Sequence, residues 1–587
     1  EPGTGERRFQ AAAARRYDSA ALAAALQERF LFEPNRTGNV SVCLAYPNSY
    51  EVAMGNLGYQ AVFRILATTP GVLCERLTLD TAGGRRTLES RRAPAAFDVL
   101  AFSLSFESDY PNVVRMLDAA GIPARTEERR KETGRWPLLL AGGPATFLNP
   151  EPVAPLFDVF LLGEAEEMLR EAFAGAETWK DLSAGALLER LAAVEGAYVP
   201  ANYRVEYDAG GDIASMTDAT GASARVRRRY LSELDREPAR TSILAPAAVF
   251  GDYYLVEASR GCEWGCRFCA AGFMYRPVRH RAAQRVADDA VAGLEYSETI
   301  GLVGAEMASH PGIAATCERV VAAGGRVSPS SLKADMISPR LAAAIAAGGT
   351  RAATIAPEAG SERMRRLINK NLIESEILRA ADLMVGDGVD LLKLYFMCAL
   401  PTEERSDLEA IVDLTAAIRD RMVGRGRVRG RVGRIRVSVN PFVPKPWTPL
   451  QWEAMAGVAE IRRRLGFLRR ALSALPNVEM ESESPREAYL QTLLSRGDRR
   501  VAAVVERIAR SNRGWWQELS DLRRTGAAGV DLDRFVTREW PEDVRFPWDF
   551  IDHGIDRRYL WAERRRALAG RETEPCDVAT CHTCGAC

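Results

Sequence analysis

The stretch EASRGCEWGCRFCAAGFMYRPVRHR, residues 257–281, holds three of the chain's eleven cysteines within eight residues. Cys262, Cys266 and Cys269 follow the spacing C-x3-C-x2-C, just after the apolar run YYLVEAS. Because structural zinc takes four ligands, three thiolates without a nearby partner motif fit zinc poorly. They fit a [4Fe–4S] cluster, usually held by four cysteines, with one iron left open to a small molecule. The stretch therefore predicts a metal centre at the top of a strand, with Phe268 shielding one side of it.

Length and composition set the class of the chain. With 587 residues it is too long for one ordinary core, so about two to four domains are expected. No apolar run is long enough to span a bilayer, and the start lacks a signal-peptide core, so we expect a cytoplasmic protein that does not enter a membrane. The formal net charge of zero excludes a global electrostatic argument for nucleic acid. Tight cysteine clusters in such a chain indicate metal sites rather than a disulfide framework.

The pattern of apolar runs predicts an α/β fold in several parts. Residues 1–38 are predicted to form an arm and a helix, and residues 201–250 an irregular linker with β character. Residues 39–200 alternate strand-like and helical runs, which is typical of a doubly wound, Rossmann-like parallel sheet. Residues 251–450 contain six β/α repeats, which predict a partial (β/α)6 barrel with its active site at the carboxyl ends of the strands. Residues 451–587 are predicted to be helical and end in a cysteine-rich tail.

The cysteine loop resembles that of the radical SAM superfamily, in which S-adenosylmethionine (SAM) binds the open iron and is cleaved reductively to a 5′-deoxyadenosyl radical. The resemblance implies that Cys262, Cys266 and Cys269 are the cluster ligands and serve catalysis. A zinc knuckle, or three reduced cysteines in a core, is the plainer alternative.

Three further stretches resemble the superfamily. In TIAPEAGSERMRRLINK, the resemblance implies that Glu358 hydrogen-bonds SAM, although an acid before Gly-Ser is also an ordinary helix start. In SPSSLKADMIS, it implies that Ser330 and Lys333 contact SAM. In LKLYFMCALPTEE, Ala399 stands where the family commonly has glycine.

The first domain resembles the cobalamin-binding domain that precedes the barrel in one class of radical SAM enzymes. The stretches AYPNSYEVAMGNLGYQAV, FSLSFES, AGGPATFLNPEP and LLGEAEE carry this resemblance. A flat corrin needs glycine- and serine-rich strand ends, which are supplied by Ser103, Ser105, Gly142, Gly143 and Gly163. The sequence has no histidine before His280, so cobalamin would bind there without a protein imidazole on cobalt. The alternative is a doubly wound domain that binds another ligand or has lost the cofactor.

The tail CDVATCHTCGAC is a second candidate metal site. Its cysteines have the spacing C-x4-C-x2-C-x2-C, and they are Cys576, Cys581, Cys584 and Cys587. Four thiolates so close together would repel one another without a cation, and both zinc and a second [4Fe–4S] cluster fit the count. A flexible redox tail is the third reading. If all four bind one cluster, electron delivery or a structural role is favoured over sulfur donation.

The order of the motifs along the chain resembles a family of cobalamin-type radical SAM proteins with a cysteine-rich C-terminal tail. Its members are often encoded near ribosomal-protein genes. We therefore expect a radical SAM enzyme that methylates an unactivated carbon through cobalamin, on an RNA, ribosomal or other substrate. The resemblance also implies an electron donor such as flavodoxin or ferredoxin.

Two alternative functions and one basic stretch stay open. The barrel also resembles methylthiotransferases, although the N-terminal three-cysteine domain of those enzymes is missing here. The other alternative is a ribosome- or RNA-associated iron–sulfur protein that does not cleave SAM. The arginine-rich stretch at 419–436 would grip phosphate or act as a solvated connector.

Overall fold

The structure is a computed structural model that describes residues 27–132, 134–179, 183–218, 220–526 and 529–586. Most of the N-terminal helix predicted within residues 1–38, and the last tail cysteine, Cys587, lie outside these described residues. Within them, none of the helices has both the length and the apolar character needed to cross a lipid bilayer.

The first part of the chain is a doubly wound α/β domain, as predicted. Its strands are β1 (Arg29–Phe30), β2 (Val40–Tyr46), β3 (Val72–Thr78), β4 (Val99–Ser103), β5 (Leu138–Gly142), β6 (Val159–Leu161) and β7 (Ala197–Tyr198). Its helices are α1 (Tyr50–Met54), α2 (Leu57–Thr68), α3 (Tyr110–Ala120), α4 (Thr126–Arg130), α5 (Pro144–Leu148), α6 (Ala165–Ala172) and α7 (Ala184–Ala192). The six-stranded sheet has the order β3-β2-β4-β5-β6-β7, and only β7 is antiparallel. The order reverses between β2 and β4, which is where sheets of this kind bind ligands.

Strand β3 was not predicted, because its sequence VLCERLT carries two charged residues inside a buried edge strand. Arg76 is 2% exposed and is satisfied by two carboxylates, with Nη2 2.6 Å from Glu28 Oε2 and Nε 2.7 Å from Glu89 Oε1. Glu75 accepts hydrogen bonds from the hydroxyls of Thr87 and Ser90. Burial of a charge is tolerated when it is paired in this way, so the strand persists.

The predicted linker is largely β structure that connects distant parts of the chain. Strands β8 (Tyr203–Tyr207) and β9 (Ile213–Asp218) form an antiparallel hairpin. Strand β10 (Val226–Arg227) pairs in parallel with residues Ile551–Asp552, and β11 (Ile243–Leu244) pairs with β1.

The barrel contains all six predicted strands, a seventh parallel strand and a short antiparallel pair. The strands of this region are β12 (Tyr253–Glu257), β13 (Ser259–Arg260), β14 (Arg279–His280), β15 (Thr299–Val303), β16 (Arg326–Pro329), β17 (Ala352–Glu358), β18 (Leu391–Cys398), β19 (Arg434–Pro441) and β20 (Val478–Glu481). Parallel pairing gives two sets, β12-β15-β16 and β17-β18-β19-β20. Strand β20 lies in the region predicted to be helical and extends the second set. The antiparallel pair β13-β14 brackets the cysteine loop.

Helices surround the barrel and make up most of the C-terminal region. They are α8 (Ala271–Met274), α9 (Ala283–Gly293), α10 (Ile313–Ala322), α11 (Pro339–Ala347), α12 (Glu362–Leu367), α13 (Glu374–Gly386), α14 (Arg405–Val428), α15 (Val458–Leu472), α16 (Pro485–Arg496), α17 (Ala502–Arg510), α18 (Trp515–Thr525), α19 (Asp533–Val536) and α20 (Arg557–Leu568). The last strand, β21 (Ile551–Asp552), is the partner of β10. Aromatic side chains fill the C-terminal core, where Phe546 stacks on Trp548 with ring centroids 4.6 Å apart.

The arginine-rich stretch at 419–436 covers the end of α14 and the turn into β19. Several of its guanidinium groups pair with acids of neighbouring elements. Asp382 forms ion pairs with Arg421 and Arg425, and Asp390 forms ion pairs with Arg429 and Arg431. Residues 419–428 are therefore helical, and neighbouring acids balance part of the arginine charge of the stretch.

Candidate functional site

A cavity of about 620 Å³ lies between the two domains, where the carboxyl ends of the first-domain strands meet those of the barrel strands β12, β15 and β16. The first domain contributes the ends of β4, β5 and β6, and the barrel contributes the ends of β12, β15 and β16. Six residues singled out from the sequence line it, namely Ser103, Ser105, Gly142, Gly143, Gly163 and Ser330. Both domains therefore present their predicted ligand-binding edges to the same space.

The cavity also reaches down one face of the first sheet, beneath α2 and α6. This arm is lined by apolar side chains, among them Leu44, Leu66, Leu140, Leu169 and Phe173. Each of these is at most 5% exposed and belongs to the apolar core on that side of the sheet. Protein cores are normally close-packed, so a space of this size inside one is suited to an apolar ligand group.

Two of the lining glycines are required by the chain's own backbone. Gly143 has a φ of 107°, and a Cβ there would lie 2.6 Å from the carbonyl oxygen of Leu104. Gly163 has a φ of 131°, and a Cβ there would lie 2.1 Å from the carbonyl oxygen of Arg229. Gly142 differs, since its φ is not positive and a Cβ would meet nothing closer than 3.5 Å. Of the three, only Gly142 is not required by the backbone, so a need for space beside a bound ligand can account for the glycine there.

Polar groups lie at the first-domain rim of the cavity. The Asn56 Nδ2 group donates to Ser105 Oγ at 3.2 Å and to the Tyr46 hydroxyl at 3.4 Å. Behind them, Asp109 is 3% exposed and accepts from Asn48 Nδ2 at 2.9 Å, while its Oδ2 has no partner. Burial raises the pKa of Asp109 to about 7. None of the described cavity-lining residues is a histidine.

A buried ion-pair network joins the two domains beside the cavity. Glu164, from the first-domain stretch LLGEAEE, accepts from Arg260 Nη1 at 3.0 Å and from Arg279 Nη2 at 2.7 Å. Arg260 also contacts Glu166 and Glu257, and both Glu164 and Arg260 line the cavity. Because Arg260 and Arg279 flank the cysteine loop, this network fixes the loop relative to the first domain.

The three loop cysteines lie between β13 and α8, at the edge of the cavity. Gly261 before them and Ala271 after them line the cavity. Burial raises the pKa of Cys266 to about 11, although the nearby Lys370 ammonium acts in the opposite direction. Burial also raises the pKa of Cys262 and Cys269. A metal held here would remove these thiol protons, and Lys370 lies close enough to all three thiols to place a positive charge beside them.

Glu358 stands at the end of β17 in a left-handed backbone conformation, with a φ of 66°. Its Oε1 lies 3.7 Å from Lys370 Nζ, and burial raises the pKa of this carboxyl. Non-glycine residues in this conformation are uncommon and cluster at functional sites. The helix cap expected for this stretch is formed by Ser361, whose Oγ accepts from Met364 N at 3.2 Å. Glu358 is therefore not needed for the cap.

Of the two other residues predicted to contact SAM, Ser330 lines the cavity and Lys333 does not. Ser330 lines the cavity and donates from Oγ to the Gly304 carbonyl at 2.8 Å. Lys333 is 5% exposed, donates to Asp335, and lies with Nζ 3.8 Å from the centre of the Trp264 ring. The structure thus places Lys333 against the cysteine loop rather than among the cavity-lining residues.

Two features of the barrel rim also bear on the sequence predictions. Phe268 packs against an apolar cluster formed by Ala359, Met364, Leu367, Ile368, Met397, Leu400, Phe442, Leu450 and Ala567. Ala399 has a φ of 62°, and its backbone N–H donates to Glu403 Oε2 at 2.7 Å. This left-handed conformation explains why glycine is common at that position in the resembling family.

The C-terminal tail lies against the cysteine loop. The backbone N–H of Cys576 donates to the Glu263 carbonyl at 2.8 Å, and Cys584 is 2% exposed. Cys581 is only partly buried, and Cys587 is outside the described residues. Among the described residues, no three His, Cys, Asp or Glu side chains are grouped tightly enough to hold a single metal ion.

Sequence reasoning missed the residues that surround the cysteine loop. Arg267 lies within the motif and is fully buried, and Asn369 and Lys370 belong to the stretch LINKN. The residues next to Arg267, Asn369 and Lys370 in the sequence do not indicate that these side chains surround the cysteine loop. The hydrogen-bond partners of Arg267 and Asn369 lie 99 to 304 positions away in the sequence.

Sequence comparisons match two stretches of this chain to known families and most of its length to one curated protein. Residues 58–200 match the family described as "Radical SAM proteins, N-terminal", and residues 256–415 match "Radical SAM superfamily". A protein of Methanocaldococcus jannaschii, itself described as uncharacterised, is 28% identical over 473 residues, which cover 79% of this chain and 90% of that protein.

Two solved structures are similar to this chain at low sequence identity and low TM-score. The radical SAM methyltransferase TsrM from Kitasatospora setae, with cobalamin and a [4Fe–4S] cluster bound, matches with a TM-score of 0.46 and 13% identity, over 70% of this chain and 74% of that one. The cobalamin-dependent radical SAM enzyme OxsB matches with a TM-score of 0.44 and 15% identity, over 64% of this chain. The match spans 51% of OxsB, about half its length.

Proposed function

We propose, from the premise that this chain belongs to the radical SAM superfamily, that it cleaves SAM reductively and uses cobalamin to methylate an unactivated carbon. The observation that carries the proposal is the shared cavity. The rim of the first domain, the rim of the barrel and both flanks of the cysteine loop all line it.

Cys262, Cys266 and Cys269 would hold the [4Fe–4S] cluster. The donor set fits, since three thiolates leave one iron open and four-cysteine ligation is the complete form. When bound, the cluster supplies the single electron that splits SAM into methionine and a 5′-deoxyadenosyl radical. Lys370 places a positive charge beside the thiolates, and the Lys333 ammonium packs against the ring of Trp264 in the loop.

SAM would occupy the barrel side of the cavity. Ser330, held by its bond to the Gly304 carbonyl, presents a hydroxyl there. Glu358 would accept hydrogen bonds from the polar groups of SAM while Lys370 keeps the carboxylate paired. The apolar walls would exclude water, which protects a carbon radical from side reactions.

Cobalamin would occupy the first-domain side, where the residues fit it in two ways. The rim offers small residues and hydroxyls at Gly142, Ser103 and Ser105, where a flat ring system can approach the backbone. The apolar arm beneath α2 and α6 can take a bulky organic substituent. When bound, cobalamin supplies the methyl group that is transferred. The network centred on Glu164 and Arg260 would hold the two cofactor regions in register.

We also propose an electron donor, a class of substrate and a second metal centre. A low-potential electron donor such as flavodoxin or ferredoxin would reduce the cluster. The substrate would be an RNA, a ribosomal component or another molecule that presents an unactivated carbon to the cavity. The terminal cysteines would bind a second metal centre, either zinc or a second [4Fe–4S] cluster.

One anaerobic purification tests the proposal. The wild-type chain is expected to carry about four irons at the loop, to bind cobalamin, and to form 5′-deoxyadenosine and S-adenosylhomocysteine from SAM with a reductant. The variant Cys262→Ser/Cys266→Ser/Cys269→Ser should lose the loop iron and 5′-deoxyadenosine. The control Cys317→Ala removes a buried thiol from α10, far along the chain from the loop, and should keep both.

Three results would count against the proposal. Iron without 5′-deoxyadenosine would favour an iron–sulfur protein that does not cleave SAM. Labile sulfide with methylthio products would favour methylthiotransferase chemistry. Activity without any cobalt would refute the role given to cobalamin.

A further inference from the structure

The amino ends of strands β17, β18 and β19 carry a cluster of arginines. Helix α14 ends at Val428, and a short turn leads into β19 at Arg434. Arg351 directly precedes β17, and its carbonyl accepts from Asp390 N at 2.9 Å, just before β18. Because a helix between two parallel strands brings the chain back to the start of the next strand, the end of α14 lies at this same edge of the sheet.

Two acids at this edge are each shared by several arginines. Asp390 forms ion pairs with Arg351, Arg429 and Arg431, and Asp382 forms ion pairs with Arg421 and Arg425. Arg427, on the last turn of α14, is exposed and forms no ion pair within the described part of the chain. Because one carboxylate carries one negative charge, these six arginines keep a net positive charge. We call the six together the arginine surface.

The arginine surface is open to solvent. The side chains of Arg351, Arg425 and Arg431 are 66%, 56% and 63% exposed. Ion pairs at such exposed positions contribute little to stability, so these guanidinium groups can exchange an aspartate for another anion at small cost. Glu479, a further acid at this edge, pairs with the neighbouring Arg434 and Arg436 instead. The arginine surface is therefore accessible to an anionic partner.

The chemistry of the surface indicates phosphate as the anion. A guanidinium group presents a planar fork of N–H donors that pairs bidentately with a phosphate, and several such groups side by side fit a chain of phosphates. The apolar side chains exposed beside them, Val428 and Val432, are smaller than the aromatic and leucine side chains that anchor basic segments in a membrane. A phosphate backbone therefore fits this surface better than a lipid bilayer does.

The position of the surface restricts which nucleic acid can use it. Strands β18 and β19 have eight residues each, which is about 26 Å at about 3.3 Å per residue. The arginine surface lies at their amino ends, whereas the cavity lies at the carboxyl ends of barrel strands. A partner that reaches both must follow the outside of the barrel over at least this length. Duplex DNA is stiff over about 150 base pairs, whereas RNA with unpaired segments bends and presents single bases.

We propose that the arginine surface binds the phosphate backbone of an RNA, and that RNA is the substrate class that delivers an unpaired nucleotide to the cavity. The link to catalysis rests on the proposed function, whereas the binding of RNA needs neither cofactor. Phosphate contacts position a nucleic acid without reading its sequence, so the surface would hold the RNA and the cavity would select the nucleotide.

RNA binding by the full chain, purified anaerobically and without added SAM, tests the proposal. The probe is a fluorescein-labelled single-stranded RNA of mixed sequence, followed by fluorescence anisotropy over a series of salt concentrations. Arg425→Gln/Arg427→Gln/Arg431→Gln removes three charges of the arginine surface. The matched control Arg285→Gln/Arg319→Gln/Arg340→Gln removes three exposed arginines from α9, α10 and α11.

The glutamine variant of the surface should bind RNA about tenfold more weakly, which is the combined effect of three exposed charge contacts of ordinary strength. Its slope of log Kd against log salt should fall by about 2, since each phosphate contact on a single strand contributes about 0.7. The control variant should keep the wild-type affinity and slope. Arg425→Lys/Arg427→Lys/Arg431→Lys keeps the charges and should recover most of the slope, which separates loss of charge from loss of structure.

Two results overturn the proposal. One is a glutamine variant that binds RNA as the wild type does, or that loses no more affinity than the control. The other is a wild-type chain that binds duplex DNA, phosphatidylserine vesicles or polyglutamate more tightly than RNA. Formation of 5′-deoxyadenosine is measured separately. A chain that binds RNA but does not cleave SAM therefore refutes the proposed function alone, and a chain that cleaves SAM but does not bind RNA refutes only this inference.

Discussion

Gly142 and Gly143 are adjacent at the end of β5, but only Gly143 is required by the packing of the chain itself. Substitutions at the two positions can therefore distinguish a packing role from a ligand-binding role. At Gly143, with φ 107° and ψ 169°, an added Cβ would lie 2.6 Å from the oxygen and 3.0 Å from the nitrogen of Leu104. At Gly142, the same atom would meet only the Leu161 carbonyl oxygen, at 3.5 Å. Both residues line the cavity.

The expected free-energy changes of unfolding differ accordingly. Gly143→Ala places a side chain in a backbone region that only glycine adopts readily, which costs about 1–3 kcal/mol. Displacement of the Leu104 backbone adds about 1–3 kcal/mol of overpacking, so the total is roughly 2–6 kcal/mol. Gly142→Ala has neither penalty. The alanine also lowers the conformational entropy of the unfolded chain, which stabilises the folded state by about 0.4–1 kcal/mol.

Hydrogen exchange of the β5 amides in the cofactor-free chain measures this difference locally. Since about 1.4 kcal/mol corresponds to tenfold in an equilibrium constant, Gly143→Ala should speed exchange at least about 30-fold, and Gly142→Ala less than about tenfold. Gly142→Ala should instead weaken cobalamin retention, because its methyl group enters the cavity. Wild-type exchange in Gly143→Ala, or equal damage by both variants, would refute the reasoning.

Three further outcomes are expected. Because burial raises the pKa of Asp109 to about 7 from 3.8, the folded state keeps a proton that the unfolded state releases, so stability should fall as pH rises between these values; Asp109→Asn should flatten this dependence in thermal unfolding. Arg267→Met should cost about 3–5 kcal/mol by removing the nearest cation from the buried Glu563, which keeps only the Thr573 hydroxyl and the more distant Arg566, and Arg267→Met/Glu563→Leu should recover part of it in urea titrations; no recovery would contradict the pairing. Glu358→Gln should weaken SAM binding about tenfold, as expected for a charge-assisted bond of about 1.5 kcal/mol, at unchanged iron content in equilibrium dialysis; unchanged affinity would remove Glu358 from the SAM site.

The sequence predicted the strands whose apolar residues run without interruption. Strands β2, β4, β5, β6, β12 and β15 are of this kind, as expected of parallel strands that are buried on both faces. Strands β17, β18 and β19 instead alternate buried and more exposed residues. Strand β3 was missed because Arg76 interrupts the run, and its partners Glu28 and Glu89 are recognisable only once the fold is known. Strand β20 is short and its sequence VEME alternates weakly, so the surrounding helices dominated the interpretation.

The cavity was partly foreseeable for a geometric reason. Parallel strands end at one edge, so polar residues and glycines after several strands must come together, as Ser103, Gly142 and Ser330 do. That reasoning could not tell that Gly143 and Gly163 are fixed by backbone contacts, or that Lys333 is held by Asp335 and Trp264. These facts depend on how close particular atoms approach, which residue spacing does not encode.

The wall that the tail adds to the cysteine loop has a consequence for biosynthesis. Arg267 donates hydrogen bonds to the Arg571 carbonyl and to Thr573 Oγ1, and these two residues leave the ribosome 304 and 306 residues later. A nascent chain with a finished barrel therefore still exposes the back of its cysteine loop to solvent and oxidants. The segment from Arg571 to Cys576 reaches the loop only after the barrel has been made, so a chain that stops before Arg571 should leave the loop uncovered.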